Sequence, residues 1–478
     1  MPDTDMAQGA ERFTGTWWLP SEPNRRPGGV LIVHADGQVR LELDGTLSTP
    51  PRRSHADEQV EYELIVGRVG ARPFTLHKCI QTESSEGNGH ARQTLFVETV
   101  FDGLRAPNAD DLTFDAGSIE IDVLHEWAKR SKATGRIVSK MYKNDPPGRT
   151  RLVYDPPSAL TTVDNGLKLV LVPGIEISTR VGYAEMNAWH RFDVELSQPL
   201  PFEEWHTLVL RPLQNFVSFV SDQTAWINNV AVSHSAHRVG PRGRRYPARV
   251  IVYGYWRRKD KEPAAKLTPS DFLVSFDDAA RVFDRVLSNW MRLSRDFRDA
   301  LNLFFAPRYA DGMYLEVSFL VVAQALEVFH RTKHPTATVI PPDEYDKIRT
   351  ALIKATPKRY RNLVSTRLNH GNDPFFKTRI VELIHYAGPA VTKLVGQPPD
   401  RWATEVKNTR NDLTHWNPVR EGIEPGTQNF FDMRRQALTL MKTVLLRELG
   451  FSASECARLL ANNWEYRHTR AWAGGEVW

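Results

Sequence analysis

Only two cysteines, Cys79 and Cys456, occur in the 478 residues, far apart in the chain. That excludes a disulfide framework and any cysteine-based zinc site, and the expected setting is a reducing cytosol. Long apolar runs are missing too. The longest, YLEVSFLVVAQALEVF at 314–329, is short for a bilayer and carries two glutamates, so it reads as a buried helix. The opening residues, MPDTDMAQGAERF, are polar and acidic without an apolar core, and no secretory signal is expected. Neither GxxxxGK[ST] nor GxGxxG is present, so no phosphate-cradling glycine loop is expected, and no GxSxG nucleophile elbow appears. A large excess of charge of either sign is also missing: the net +5 permits a polyanionic partner without requiring one.

What is there is ordinary globular composition, 41% hydrophobic and 25% charged, in a chain long enough for more than one domain. Its texture changes near residue 265. Before that point short apolar runs alternate with turn residues. GVLIVHADGQVRLELDG (29–45) reads as a hairpin, because Asp36-Gly37 tolerates the positive φ of a tight turn. VEYELIVGRV, RQTLFVETVF, SIEIDVLHEW, LKLVLVP, FDVELSQ, HTLVLRPL and ARVIVYGYW read as further strands of a sandwich or barrel, with room for inserted helix. After 265 apolar residues recur at helical spacing, as in Val282, Phe283, Val286, Leu287, Trp290 and Leu293, in a helix expected to start at Asp277 or Asp278. The expected fold class is therefore α+β and multidomain: a β-rich domain over 1–265 and an all-α bundle over 266–478.

Several stretches invite a functional reading. His234 and His237 in SHSAHR have no carboxylate nearby and are not expected to hold a metal. PPDEYDK (341–347) is similar to a metal-dependent nuclease motif but lacks its strand context. Asp343 and Glu344 more simply favour a helix N-terminus. Between 237 and 261, Arg244, Arg245, Arg257 and Arg258 interleave with Tyr255 and Trp256, which suits phosphates and unstacked bases. A solvated loop and an edge strand would produce the same pattern.

Arginine followed by histidine five or six residues on occurs at Arg72/His77, Arg379/His385 and Arg410/His415. The first brackets an expected strand and the second an apolar helix, so both read as structural. In KNTRNDLTHWNP (407–418) the arginine is followed at once by Asn411, four residues before His415. On a helix Asn411 and His415 share a face, while Arg410 and His415 stand about 140° apart and flank a surface. A histidine titrates near neutrality and an arginine is a fixed cation, which together suit acid–base work on a phosphodiester. Equally, His415 and Asn417 could simply end a helix before Pro418.

RNDLTH resembles the R-N-x-x-x-H signature of HEPN ribonucleases, and YLEVSFLVVAQALEVFHR (314–331) resembles the helix that precedes it. FTGTWWLPSEPNRRPGGVLIVHADGQVRLEL (13–43) is similar to the opening of the ApeA N-terminal domain. The order of the two matches as well. The resemblance implies an abortive-infection protein that defends bacteria against phage. Its nuclease would need no cofactor or metal, attack through the RNA 2′-hydroxyl, and leave 2′,3′-cyclic phosphate and 5′-hydroxyl ends. It implies Arg410, Asn411 and His415 as the catalytic set. Glu327 and Arg331 are the supporting candidates, Glu327 as a partner that orients Arg410; they also read as an ordinary i,i+4 helix pair. The resemblance further implies a homodimer through the helical domain, an RNA substrate with tRNA among the candidates, and a phage-derived trigger, with a β domain that senses it or restrains the nuclease. The rival reading is a non-catalytic RNA-binding or protein-interaction module on the same helical scaffold.

Overall fold

A computed structural model describes residues 9–48, 60–87, 90–129, 137–140, 151–154, 158–180, 183–236, 238–239, 246–258, 267–310, 312–415, 417–418 and 422–472. It divides into two compact units, Met1–Ser288 and Asn289–Trp478.

The first unit is built on antiparallel strands. β1 (Glu11–Trp18), β2 (Gly28–Val33), β3 (Val39–Asp44), β4 (Glu61–Val69), β5 (Arg72–Gly87) and β6 (His90–Asp102) close on themselves in the order β6-β3-β2-β1-β4-β5-β6. Closure removes the free edges a sheet would otherwise expose. Alternation decides what points inward. In β3 Val39, Leu41 and Leu43 are buried while Arg40 and Asp44 are exposed, and Trp17, Leu31, Ile65, Phe74, Leu76 and Leu95 complete the interior. Gly67 makes room for Trp17: a Cβ there would lie 2.1 Å from the indole. The expected hairpin at Asp36-Gly37 joins β2 to β3. Asp36 Oδ1 accepts from Gln38 N at 2.9 Å, and Gly37 has φ +88°.

Beyond the barrel the sheet continues from β6 through β16 (Val250–Gly254), β13 (Ile227–Ser233), β7 (Thr113–Ile121), β12 (Tyr183–Pro201), β11 (Leu167–Arg180) and β10 (Leu160–Asp164). Two small ribbons, β8 (Ile137–Lys140) with β9 (Arg151–Tyr154) and β14 (Arg238–Val239) with β15 (Tyr246–Pro247), stand apart from it. Helices α1 (Asp122–Ala128), α2 (Phe202–Trp205) and α3 (Arg211–Ser221) belong to the same unit, as do α4 (Phe276–Ala280) and the start of α5 (Phe283–Asp296).

Three expectations change here. HTLVLRPL is helix, not strand: a π turn at His206–Leu210 leads into α3, whose residues from Pro212 to Ser221 are all buried. In HTLVLRPL Thr207, Leu208 and Arg211 are exposed and Val209, Leu210, Pro212 and Leu213 buried, and an apolar run this short does not separate helix from strand by its periodicity. SIEIDVLHEW turns from β7 into α1 at Asp122. The helix expected from Asp277 is capped by Ser275, whose hydroxyl accepts from Asp278 N, and it is broken into α4 and α5. The last strand among the described residues ends at Gly254, and within the first unit Val274 N bonds Val220 O, Trp127 Nε1 bonds Val274 O and Phe276 packs on Trp127.

The second unit is helical: α6 (Arg298–Tyr309), α7 (Leu315–Lys333), α8 (Pro342–Ala355), α9 (Arg361–Leu368), α10 (Phe376–Ala387), α11 (Pro389–Val395), α12 (Pro399–His415), α13 (Gln428–Glu448), α14 (Ala453–Asn462) and α15 (Trp464–Trp472). Helices α7, α10, α12 and α13 supply most of its centre through Phe319, Leu326, Ile380, Leu383, Trp402, Val406 and Leu440. Asp343 and Glu344 occupy the first turn of α8, as a helix N-terminus favours. No helix of the described residues is long and apolar enough to cross a membrane.

Candidate active site

The site is assembled by α7 and α12, with α10 packed against both. Apolar residues of α12, Trp402, Ala403 and Val406, are buried and fix which face of the helix looks outward. Arg410 lies one turn beyond Val406 and points at α7. Its Nη2 donates to Glu327 Oε2 at 3.2 Å and to Gln324 Oε1 at 3.4 Å, and its guanidinium stacks over Phe376, the first residue of α10, at 5.2 Å.

Glu327 is only 8% exposed. Its second oxygen, Oε1, receives Arg331 Nη2 at 3.2 Å from one turn on. One buried carboxylate thus bridges two arginines, one on each oxygen. Glu327 and Gln324 together hold Arg410 at Nη2 with the aromatic ring as floor, while part of the guanidinium still meets solvent. A cation held this way loses little freedom when a phosphate arrives, and its planar fork still has N–H groups to offer.

Asn411 follows Arg410 and is half-buried; His415 is the last residue of α12 and exposed. Among the described residues neither side chain is tied up in a hydrogen bond. Thr414 Oγ1 donates to Arg410 O at 2.7 Å, and Asn417 N bonds Asp412 O at 2.9 Å as the helix ends. Arg410 is therefore locked, and the imidazole stands free at the helix terminus.

A second polar layer lies behind Glu327 that sequence reading missed. His330 is fully buried on α7. Arg379 Nη1, always a donor, faces its Nδ1 at 3.2 Å, so Nδ1 accepts and the proton sits on Nε2, which donates to Glu382 Oε2 at 2.5 Å. Burial holds the His330 pKa below its ordinary value against the pull of Glu382. Arg379 also donates from Nε to Pro374 O at 3.0 Å. The Arg379/His385 spacing therefore did mark a structural arginine, but its histidine is His330, 49 residues away, and His385 is exposed. Local spacing has no means of pointing across two helices.

The basic-aromatic stretch of the first unit is arranged differently from its sequence expectation. Arg244 and Arg245 lie outside the described residues. Trp256 and Arg257 are each only 6% exposed. Arg257 donates to Glu11 Oε1 at 3.1 Å and to Asn228 O at 2.8 Å and stacks on Tyr253, so its charge is used inside the unit. Arg258 lies over Trp226 at 4.8 Å, and Tyr255 is the exposed ring. Trp256 and Arg257 are thus part of the packing of the first unit. His234 accepts from Ala236 N through Nδ1, His237 lies outside the described residues, and no cluster of three or more metal-ligating side chains occurs among those described.

Residues 12–290 match the family described as ApeA N-terminal domain 1, and residues 320–455 match Apea-like HEPN. The chain belongs to the ApeA family. The first match takes in the barrel and the extended sheet; the second contains Glu327, Arg331, Arg410, Asn411 and His415. This pairing of ApeA and HEPN domains is that of an anti-phage defence HEPN protein. No curated protein and no solved structure matches the chain.

Proposed function

We propose that this ApeA-family chain is an endoribonuclease of abortive infection, cleaving RNA without a metal cofactor under the control of its N-terminal unit. One observation carries the reading: Arg410 is clamped by a buried carboxylate while His415, on the same helix, is left free and exposed. A helix cap would need the histidine but not the clamp.

The chemistry is a transesterification. The 2′-oxygen forms a bond to phosphorus, the P–O5′ bond breaks, one proton leaves the 2′-hydroxyl and another reaches the departing 5′-oxygen. The nucleophile is part of the substrate, so positioning, proton transfer and charge stabilisation are what remain for the protein. His415 moves the proton, Arg410 holds the charge that grows on the phosphorane oxygens, and Asn411, one turn from His415, orients the imidazole or the phosphate. Glu327 acts through Arg410 and is a positioning residue.

A single imidazole cannot be base and acid in the same instant. In a two-fold homodimer through the helical unit, two His415 side chains divide the roles. Phe375, beside Phe376 at the edge of the site, is 70% exposed, an apolar surface that a second copy would cover.

The test is cleavage in EDTA, with end-group analysis, by wild type and His415→Ala, and with phage-infected lysate added as activator. Cyclic phosphate ends from wild type, lowered about 10²–10⁴-fold by the variant, are expected. Equal cleavage by both proteins, or none by either, would end the proposal; in the second case the helical unit is a binding module.

A further inference from the structure

Between α7 and α10 the chain makes a detour that the bundle does not use. Helices α8 and α9, with the turn Lys358–Tyr360 between them, contain no buried residue. Polar groups hold the two helices together: Tyr345 donates to Leu368 O at 2.5 Å, and Arg349 to Ser365 Oγ at 2.9 Å and Asn369 Oδ1 at 3.0 Å. The root is a clasp. Asn372 bonds Ile340 through its side-chain oxygen and nitrogen, and Val339 N bonds Asn372 O at 2.9 Å. Two short helices without a core contribute little to folding the unit.

Their charge is unusual. From Lys347 to Asn372 there are seven lysines and arginines and no aspartate or glutamate. The whole helical unit, 289–478, has 27 basic and 20 acidic residues. The hairpin as a whole, Pro342–Asn372, also carries Asp343, Glu344 and Asp346 near the start of α8, so it holds seven basic and three acidic residues, a net +4 of the unit's +7. Arg349 and Arg361 are half-buried and spend hydrogen bonds on the arm itself. Lys347, Lys354, Lys358, Arg359 and Arg367 are exposed. Tyr360, with Arg359 over its ring at 4.7 Å, is exposed beside them.

We propose that this hairpin is an RNA-binding arm that holds the substrate's phosphate backbone beside the catalytic helices. The inference rests on the ribonuclease reading for the identity of the polyanion. Cations in excess with an aromatic face among them are the means by which proteins hold single-stranded nucleic acid. The position fits. Asn372 is four residues from Phe376, so the root lies within about 14 Å of the residue that floors Arg410. Lys358, Arg359 and Tyr360 sit in the turn at the far end of the hairpin and Lys347 and Arg367 nearer its root, so a strand tracking the arm leads from its tip toward the locked arginine.

The experiment measures binding of a fluorescein-labelled 30-nucleotide single-stranded RNA by anisotropy, in a His415→Ala background so that the probe survives. Lys347→Gln/Lys354→Gln/Lys358→Gln/Arg359→Gln is compared with its parent and with a control, Lys393→Gln/Arg467→Gln. All six side chains are exposed, so folding should persist, and circular dichroism checks it. The arm variant should bind at least about tenfold more weakly at 0.15 M salt. Its plot of log affinity against log salt should be shallower by about 0.7 for each phosphate it no longer neutralises. The control should match the parent. Affinity unchanged in the arm variant overturns the proposal. So does a loss confined to Ile348→Ser/Leu352→Ser, which would make the arm a protein- or lipid-docking surface. Cleavage is scored separately with His415 restored: cleavage with no arm dependence leaves the nuclease and removes the arm, and arm-dependent binding without cleavage does the reverse.

Discussion

Glu327 shows how one side chain can decide whether an arginine is held in place or left as surface charge. An exposed arginine samples many rotamers, and an exposed ion pair contributes little. Here the carboxylate is buried, has a cation on each oxygen, and presents Arg410 in one pose. Glu327→Gln keeps the shape and one acceptor but removes the negative charge between two guanidinium groups. Single-turnover cleavage should fall about 10–100-fold with RNA affinity nearly unchanged, since the phosphorane loses a preorganised partner while the ground state keeps its cations. Equal losses in affinity and rate would instead make Glu327 a general support of the fold. Arg410, Asn411 and His415 could be picked out of the sequence because they sit on one helix with a fixed angular relation. Glu327 with Arg331 was legible as an i,i+4 pair. Gln324, Phe376, His330 and Arg379 were not, because their roles exist only where α7, α10 and α12 meet.

At the scale of elements, α1 docks on β12 through two histidines. His125 Nδ1 and His190 Nδ1 lie 3.1 Å apart with their rings stacked, an arrangement that needs one donor and one acceptor and has no place for two imidazolium ions. Burial, then the neighbouring His125, pushes the His190 pKa down to about 4. An unfolded histidine titrates near 6.5. Between those values the unfolded chain binds the extra proton, so stability is fully present above pH 6.5 and is lost as pH falls through the window toward 4. At pH 5 the loss from His190 is about 2 kcal/mol. Asp122, at the start of α1, works the other way: burial raises its pKa to about 6, so acid relieves it. Comparing wild type with His190→Gln cancels that contribution. The wild-type unit should lose denaturation midpoint between pH 7 and pH 5 more steeply than the variant, and parallel profiles would show that the pair does not titrate on unfolding.

For the molecule as a whole, the proposed two-fold assembly has a kinetic signature. If one site needs His415 from both protomers, mixing wild type with His415→Ala and letting subunits exchange should lower activity as the square of the wild-type fraction. A linear decline would mean that each protomer works alone. The strand hairpin at Asp36-Gly37, the β-then-α order of the chain and the placement of Arg410, Asn411 and His415 on one helix were all determined by the sequence itself, because turn chemistry, periodicity and spacing along one helix act over a few residues. Barrel closure through β3 on β6 and β1 on β4, the helical fate of HTLVLRPL, the inward turn of Trp256 and Arg257 and the clamp on Arg410 were decided only in the tertiary structure. Each depends on a partner tens to hundreds of residues away. Burial and pairing are properties of a position in the packed fold, and a short stretch of sequence carries no record of what will lie against it.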